Sequence, residues 1–147
     1  MFTGDNVLGH GFTVIEDLGA YLNALSYMAD QRCRIGYPGH GAEIANLPSR
    51  IKVYIQRETL RVAQVYTTLA ERTLAPNARH AAQPGFTNRE LVTFLYGEVS
   101  DELFDMALEP CINRCLWKLA EDGMVAFKLI GSGRRWYARV IAHDKNV

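Results

Sequence analysis

Features that would assign a sequence to a specialised class of protein are scarce in these 147 residues. The formal net charge is +0, so composition gives no electrostatic argument for a nucleic-acid or membrane partner. No apolar run reaches the roughly 20 residues of a membrane-spanning helix, and the N-terminus lacks a secretory signal. The three cysteines are odd in number and lack metal-binding spacing, which favours reduced thiols. We therefore expect a soluble, cytoplasmic protein.

Hydrophobic residues make up 48% of the sequence, which is enough for a packed core and too many for a disordered chain. Residues 76–86 contain two prolines and a glycine, show no apolar periodicity and predict a linker. His80 falls in this linker, where we expect an exposed loop residue. The predicted organisation is therefore two domains, at residues 1–75 and 87–147.

The first domain alternates extended segments with helices. Apolar residues three and four apart predict a helix over residues 14–29, with Thr13 and Glu16 forming a capping box at its start. Residues 33–37 are predicted to be a buried strand, and a second long helix follows with Ser49 as its cap. A helix between two extended segments is typical of an α/β fold.

The second domain is predicted to contain three short helices and a hairpin. Residues that start or end these helices are Thr87, Ser100, Pro110 and Gly123. Leu103 and Phe104 are expected to point inward, and strands at 125–130 and 135–141 flank the turn. This order is a winged-helix pattern. Residues 87–147 carry eight Lys and Arg against nine Asp and Glu, a balance that argues against DNA binding.

The candidate functional residues lie in two glycine-rich turns of the first domain. His40 follows Pro38 and Gly39 at the end of the predicted strand, and a glycine on each side leaves its imidazole uncrowded. Asp5 follows Gly4 at the end of a short extended segment. A carboxylate and an imidazole on neighbouring strand ends can share a metal ion, because zinc accepts both.

These turns also carry a resemblance to a known family. Four pieces of the sequence form the match, namely Gly4–Gly11, Glu16–Leu18, Gly36–Gly41 and Leu116–Gly123. Together they resemble the metallo-β-lactamase superfamily. Within it the resemblance is to fungal polyketide thioesterases of the atrochrysone carboxyl-ACP thioesterase type.

The resemblance implies both a fold and an activity. The implied fold is the C-terminal part of a metallo-β-lactamase αβ/βα sandwich, followed by a winged-helix-like α+β module. The implied activity is hydrolysis at two zinc ions (Zn²⁺) of a thioester on the acyl carrier protein domain of a non-reducing polyketide synthase. This hydrolysis would release an aromatic polyketide. By this resemblance Asp5 matches the aspartate that bridges the metals, and His40 matches the last histidine of the site.

The sequence departs from the family in its remaining ligands. The motif His-x-His-x-Asp-His is absent, and the only histidines are His10, His40, His80 and His143. We therefore expect the other ligands to lie upstream of Met1, in a longer chain. Whether this chain is itself an enzyme stays open.

Two alternatives to the thioesterase remain. One is a metal-dependent endoribonuclease of the same superfamily, which a basic surface near the site would favour. The other is a non-catalytic remnant or interaction module. Separately, the second long helix has a basic flank formed by Arg50, Lys52, Arg57 and Arg61. This flank is either a solvated face or a contact for an acidic carrier protein.

Overall fold

A computed structural model describes residues 1–11, 13–73, 85–131 and 133–139 of the chain. The chain divides into two compact units, Met1–Arg61 and Val62–Val147. Most of the linker predicted at 76–86, including His80, lies outside the described residues, and so does His143. The predicted domain boundary therefore stays a prediction.

The first unit contains two short strands and two helices. They are β1 (Phe2–Gly4), α1 (Leu18–Asp30), β2 (Tyr37–Pro38) and α2 (Leu47–Thr73), of which α2 continues into the second unit. Strands β1 and β2 pair in parallel, with Phe2 opposite Tyr37 and Gly4 opposite Pro38. Parallel strands end at the same edge of a sheet, so the segments that follow them are brought together.

The core of the first unit is formed by the inner faces of both helices and by the loop after β1. Helix α1 buries Leu18, Tyr21 and Leu25, which are three and four residues apart as an amphipathic helix requires. Helix α2 buries Ile51 and Tyr54 in the same unit. Each such side chain contributes about 1.5–3 kcal/mol through removal of apolar surface from water.

Helix α1 begins four residues later than predicted. Its N-cap is Asp17, whose Oδ1 accepts a hydrogen bond from the backbone N–H of Ala20 at 2.8 Å. The capping box predicted at Thr13 is wrong, because the Thr13 hydroxyl donates instead to the carbonyl of Asn6 at 3.4 Å. The cap predicted at Ser49 is also wrong. Asn46 Oδ1 accepts from the Ser49 N–H at 3.1 Å, which places Ser49 inside the first turn of α2.

The buried strand predicted at residues 33–37 is shorter and more exposed than expected. Only Tyr37 and Pro38 pair with β1, and Tyr37 is 45% exposed. The backbone of Gly36 bonds in both directions to Ile44, at 3.0 and 2.9 Å. This bridge turns the chain back on itself, which limits the length of the strand.

The second unit contains the C-terminal part of α2, further helical segments and a hairpin. These elements are α3 (Asn88–Tyr96), α4 (Asp101–Leu103), a π-helical turn (Phe104–Leu108), α5 (Glu109–Glu121), β3 (Val125–Ile130) and β4 (Gly133–Ala138). The second and third predicted helices thus form one continuous helical segment. Leu103 and Phe104 were both expected to point inward. Phe104 is buried as predicted, but Leu103 is 48% exposed.

Several predicted boundaries in the second unit are confirmed. Thr87 and Glu90 form the reciprocal capping box of α3, with bonds of 3.2 and 2.8 Å. Pro110 lies in the first turn of α5, and Gly123 follows its C-terminus with a φ of 72°. Strand β4 begins two residues earlier than predicted, because Gly133 pairs with Ile130. Beyond Arg139 the predicted end of this strand lies outside the described residues.

The hairpin is anchored by one tryptophan. Trp136 is 1% exposed, and its ring centroid lies 5.5 Å from that of Trp117 and 4.9 Å from that of Phe127. Its backbone also exchanges two hydrogen bonds with Phe86. Trp136 thus packs the hairpin against α5 through Trp117. Throughout the described ranges, every helix is too short or too polar to cross a bilayer.

Candidate metal centre

Asp5 and His40, the two residues singled out from the sequence, are neighbours in the first unit. Asp5 directly follows β1, and His40 comes two residues after β2. Because these strands are parallel, both side chains emerge at one edge of the sheet. Nε2 of His40 lies 3.7 Å from Oδ1 of Asp5, and the side chains are 71% and 72% exposed.

A tight turn fixes the position of Asp5. The N–H of Asn6 donates to the carbonyl of Thr3 at 3.1 Å, and Gly4 adopts a φ of 51° within this turn. Thr3 is 1% exposed, and its hydroxyl donates to the carbonyl of Val7 at 2.7 Å. A buried threonine therefore holds both ends of the turn that presents the carboxylate.

The glycines around the pair are required by the close approach of two loops. A β-carbon on Gly39 would lie 2.6 Å from Oδ1 of Asp5, and one on Gly9 would lie 2.2 Å from the carbonyl oxygen of Ala42. The N–H of Gly9 donates to the carbonyl of His40 at 3.1 Å, which joins the loops directly. A side chain at Gly9 would collide with the backbone of Ala42 and push the loops apart, whereas one at Gly39 would displace the carboxylate of Asp5.

Two tyrosines on the helices secure the loop that follows Asp5. The hydroxyl of Tyr21 on α1 donates to the carbonyl of Asn6 at 2.9 Å, and that of Tyr54 on α2 approaches the carbonyl of Leu8 at 3.5 Å. Burial raises the pKa of Tyr21 above its ordinary value, although a hydrogen bond with Thr13 acts in the opposite direction. The partner of Tyr54 lies 46 residues away in the sequence, so no local pattern could have indicated it.

The Asp5–His40 pair fits a metal ion in chemical type but not in number. A carboxylate oxygen and an imidazole nitrogen are both zinc ligands, and both are reachable from solvent here. A catalytic zinc ion normally takes three protein ligands. In the described ranges, no group of three or more His, Cys, Asp or Glu side chains could hold a metal ion. The pair can therefore provide part of a metal centre.

One charged cluster on α2 was missed by sequence reasoning. Glu58 is 2% exposed and accepts hydrogen bonds from Arg57 and Arg61, each at 2.8 Å. These arginines were interpreted as part of a basic flank, but in the structure both donate hydrogen bonds to a buried carboxylate. The available sequence signal was the spacing, because Arg61 lies three residues after Glu58 on one helical face.

Comparison with solved structures defines the class of fold. A beta-lactamase domain protein from Burkholderia ambifaria matches with a TM-score of 0.71 at 18% identity. A metallo-beta-lactamase family protein from Thermus thermophilus matches with a TM-score of 0.59 at 21% identity. Each match covers 94% of this chain and 41% of the solved one. The predicted α/β class and the metallo-β-lactamase type of fold are confirmed.

Curated relatives narrow this class to fungal lactamase-like proteins, although no family model matches the chain. The lactamase-like protein aptB of Emericella nidulans is 46% identical over 95% of this chain. The atrochrysone carboxyl ACP thioesterase of Aspergillus chevalieri is 44% identical over 93% of it. The chain spans only 44% and 43% of the lengths of these relatives. The resemblance to the metallo-β-lactamase superfamily is thus confirmed, and the chain is a homologue of these lactamase-like proteins.

Proposed function

We propose that this chain supplies part of the metal centre of a metallo-β-lactamase-type thioesterase, which releases an aromatic polyketide from an acyl carrier protein. The observation that carries the proposal is the Asp5–His40 pair at the ends of two parallel strands. Support comes from the 44% identity to a protein named atrochrysone carboxyl ACP thioesterase. The polyketide, the carrier protein and the reaction itself are all part of this proposal.

In this proposal Asp5 and His40 are two ligands of a zinc centre whose other ligands come from outside this sequence. The His-x-His-x-Asp-His motif is absent here, and the chain spans 43% of the length of the thioesterase relative. When bound, zinc would lower the pKa of a water molecule towards neutrality and so supply a nucleophile for a thioester.

The chain's own residues would hold and orient this centre. The carboxylate of Asp5 would offset the positive charge of the metal, and neutral His40 would donate a nitrogen lone pair. Gly39 would leave room for the carboxylate beside the imidazole, because a side chain at this position would collide with Oδ1 of Asp5. The high exposure of both ligands leaves room for a substrate arm to reach them.

The proposed partner is the acyl carrier protein domain of a non-reducing polyketide synthase. Carrier proteins of this kind are expected to present an acidic surface to an enzyme. Arg50 and Lys52 remain exposed on α2 and are the cations that we propose for this contact. Arg57 and Arg61 are excluded from the proposed contact, because Glu58 already offsets their charge.

We further propose that residues 87–147 form a winged-helix-like module. Helices α3 and α5 with the β3–β4 hairpin support this proposal. The near balance of charge in this region favours a structural role over DNA binding. The odd number of cysteines supports the cytoplasm as the proposed compartment.

No observation favours the endoribonuclease alternative. A nuclease needs cations near its metal centre to hold phosphates. The segments that carry the pair, residues 1–11 and 35–46, contain no lysine or arginine. The remaining alternative, a non-catalytic remnant, is decided by the experiment below.

The experiment uses the native chain and a chimera. In the chimera, this chain replaces the matching region of the Aspergillus chevalieri thioesterase, and both proteins are assayed for zinc content and for hydrolysis of an acyl-carrier thioester. We expect the native chain to bind zinc weakly and to be inactive, and we expect the chimera to be active. Asp5→Asn and His40→Gln should each lower the activity of the chimera by about 100-fold or more.

His10→Gln is the matched control, because it changes a histidine in the adjoining loop that we do not assign to the centre. It should retain zinc and most of the activity. A folded chimera that does not hydrolyse the thioester would support the alternative that this chain is a non-catalytic remnant. Equal losses for the His10 and His40 variants would contradict the assigned pair.

A further inference from the structure

The second unit contains a cleft for which the proposed reaction provides no role. It has a volume of about 420 Å³ and lies among the first turns of α3 and α5, the π-helical turn and the hairpin. Its lining includes Thr87, Arg89, Phe104, Glu109, Arg134 and Trp136. A cleft of a few hundred cubic ångströms is large enough for a small organic molecule.

One cation at this cleft has no anionic partner among the residues that the structure describes. Arg89 is already paired with Asp101, with 2.9 Å between Nη2 and Oδ1. The guanidinium of Arg134, by contrast, forms neither a hydrogen bond nor an ion pair with any residue that the structure describes. Its central carbon lies 5.6 Å from the ring centroid of Trp117 and 5.4 Å from that of Phe127. These ring faces hold Arg134 in place and leave its N–H donors for an anion.

The cleft also contains a hydrogen-bond acceptor and apolar walls. Oε1 of Glu109 accepts from Asn88 Nδ2 at 3.3 Å, which leaves the carboxylate with further acceptor capacity. Phe104 and Leu129 add apolar surface to the lining. A ligand that fits this lining combines an anionic group, a donor and a flat apolar body.

Trp136 is a further residue of the cleft lining. It lines the cleft and is 1% exposed, and its indole Nε1 is buried without an acceptor among the described residues. Buried donors without an acceptor are rare in folded proteins. Because this nitrogen is itself buried, Trp136 contributes to the cleft through its ring and not through its N–H.

We infer that this cleft binds an aromatic carboxylate that carries a hydroxyl group. The carboxylate pairs with Arg134, the hydroxyl donates to Glu109, and the ring lies against the apolar walls. A phosphate ion would be repelled by the charge of Glu109 and would make no contact with the apolar walls. A purely apolar ligand would leave Arg134 unpaired. The inference stands on the cleft alone and is independent of the proposed thioesterase reaction.

The test follows the indole N–H signals of the full chain by ¹⁵N NMR during a titration with 6-hydroxy-2-naphthoate, whose hydroxyl is too far from its carboxylate to bond to it. The sequence contains two tryptophans, and both lie at or beside this cleft, so the readout is local. We expect both signals to shift in a saturable manner. The matched probe 2-naphthol, which lacks the carboxylate, should bind at least about 10-fold more weakly.

Variants separate the cleft from non-specific binding. Arg134→Gln should weaken naphthoate binding by about 10-fold or more. Arg139→Gln removes the same charge just past the end of β4 and should have no effect. Leu129→Glu adds a carboxylate to the lining and should abolish binding. Absent shifts, equal affinity for the two probes, or equal effects of the two arginine variants would overturn the inference.

Discussion

The backbone of Gly39 lies against the carboxylate of Asp5, and a β-carbon at this glycine would be 2.6 Å from Oδ1. Carbon and oxygen atoms do not approach this closely without a bond, so the carboxylate occupies the space that a side chain would need. The N–H of Gly39 also donates to the carbonyl of Gly4 at 2.9 Å, which ties the two turns together. The spacing of Asp5 and His40 therefore depends on a residue that ligates nothing.

In the chimera, Gly39→Ala should weaken zinc binding without unfolding the protein. The new methyl group displaces the carboxylate of Asp5, and misplaced or unsupported ligands typically cost about 10–100-fold in metal affinity. Competition with a colorimetric zinc chelator measures this loss. Gly133→Ala is the control, since its β-carbon would meet only the carbonyl oxygen of Ile130 at 3.8 Å. Equal affinities for the two variants would show that Gly39 does not position the pair.

Tyr21→Phe should loosen the loop after Asp5 and alter the stability of the protein at high pH. Loss of the 2.9 Å bond to the carbonyl of Asn6 should cost about 1 kcal/mol of unfolding free energy. Tyr54→Phe removes a longer contact, at 3.5 Å to Leu8, and should cost less. Urea unfolding at neutral pH measures the free energy of unfolding of both variants.

Burial raises the pKa of Tyr21 above 10.0 in the folded protein. Its contribution to stability is therefore complete below pH 10 and is lost as the pH rises from there towards the raised pKa. The phenylalanine variant lacks this contribution, so its stability should fall less steeply above pH 10. Parallel stability curves for the two proteins would refute the assignment.

Glu58→Gln should be the most destabilising single-atom change on α2. A neutral amide cannot offset the charges of Arg57 and Arg61, which both contact the buried carboxylate at 2.8 Å. The arginines are 34% and 29% exposed and can partly hydrate, so we expect a loss of about 2–3 kcal/mol, below the range for a fully buried pair.

The control for this cluster is Glu71→Gln, which changes an exposed residue of the same helix and should shift stability by less than about 0.5 kcal/mol. Urea unfolding followed by circular dichroism measures both variants. A Glu58 variant as stable as the control would mean that the cluster adds no net stability.

Glu90→Gln should remove part of the acid sensitivity of the second unit. Burial opposes ionisation of Glu90, but the Thr87 backbone N–H and Arg135 outweigh it, so the pKa of this carboxyl lies below 4.5. A lowered folded-state pKa adds stability above pH 4.5, and this stability is lost as the pH falls through the lowered pKa. The side chain is 47% exposed, so the effect should not exceed about 1 kcal/mol.

Unfolding at pH 7 and at pH 3 measures this effect. The variant should be less stable than the native chain at pH 7, and the difference should shrink at pH 3. Glu98→Gln, an exposed control, should change neither value. A difference that persists unchanged at pH 3 would show that charge on Glu90 is not its source.

Local sequence signals predicted much of the second unit. The reciprocal bonds of Thr87 and Glu90 and the positive φ of Gly123 are properties of a few adjacent residues, and each was recognised by its spacing. Thr13 failed as a cap for the opposite reason. Its hydroxyl bonds Asn6, a partner seven residues away in a folded loop, and local spacing cannot show such a partner.

By itself, the sequence determined which residues are the candidate ligands and that glycines flank them, because the residue types and the turn chemistry are local properties. It also carried the resemblance that the relatives confirm. Only the tertiary structure decided that Asp5 and His40 lie 3.7 Å apart, that Glu58 is buried between two arginines, and that Arg134 lacks an anionic partner among the described residues. Each of these facts depends on burial or on the distance between segments remote in sequence, and the packing of the folded chain sets both.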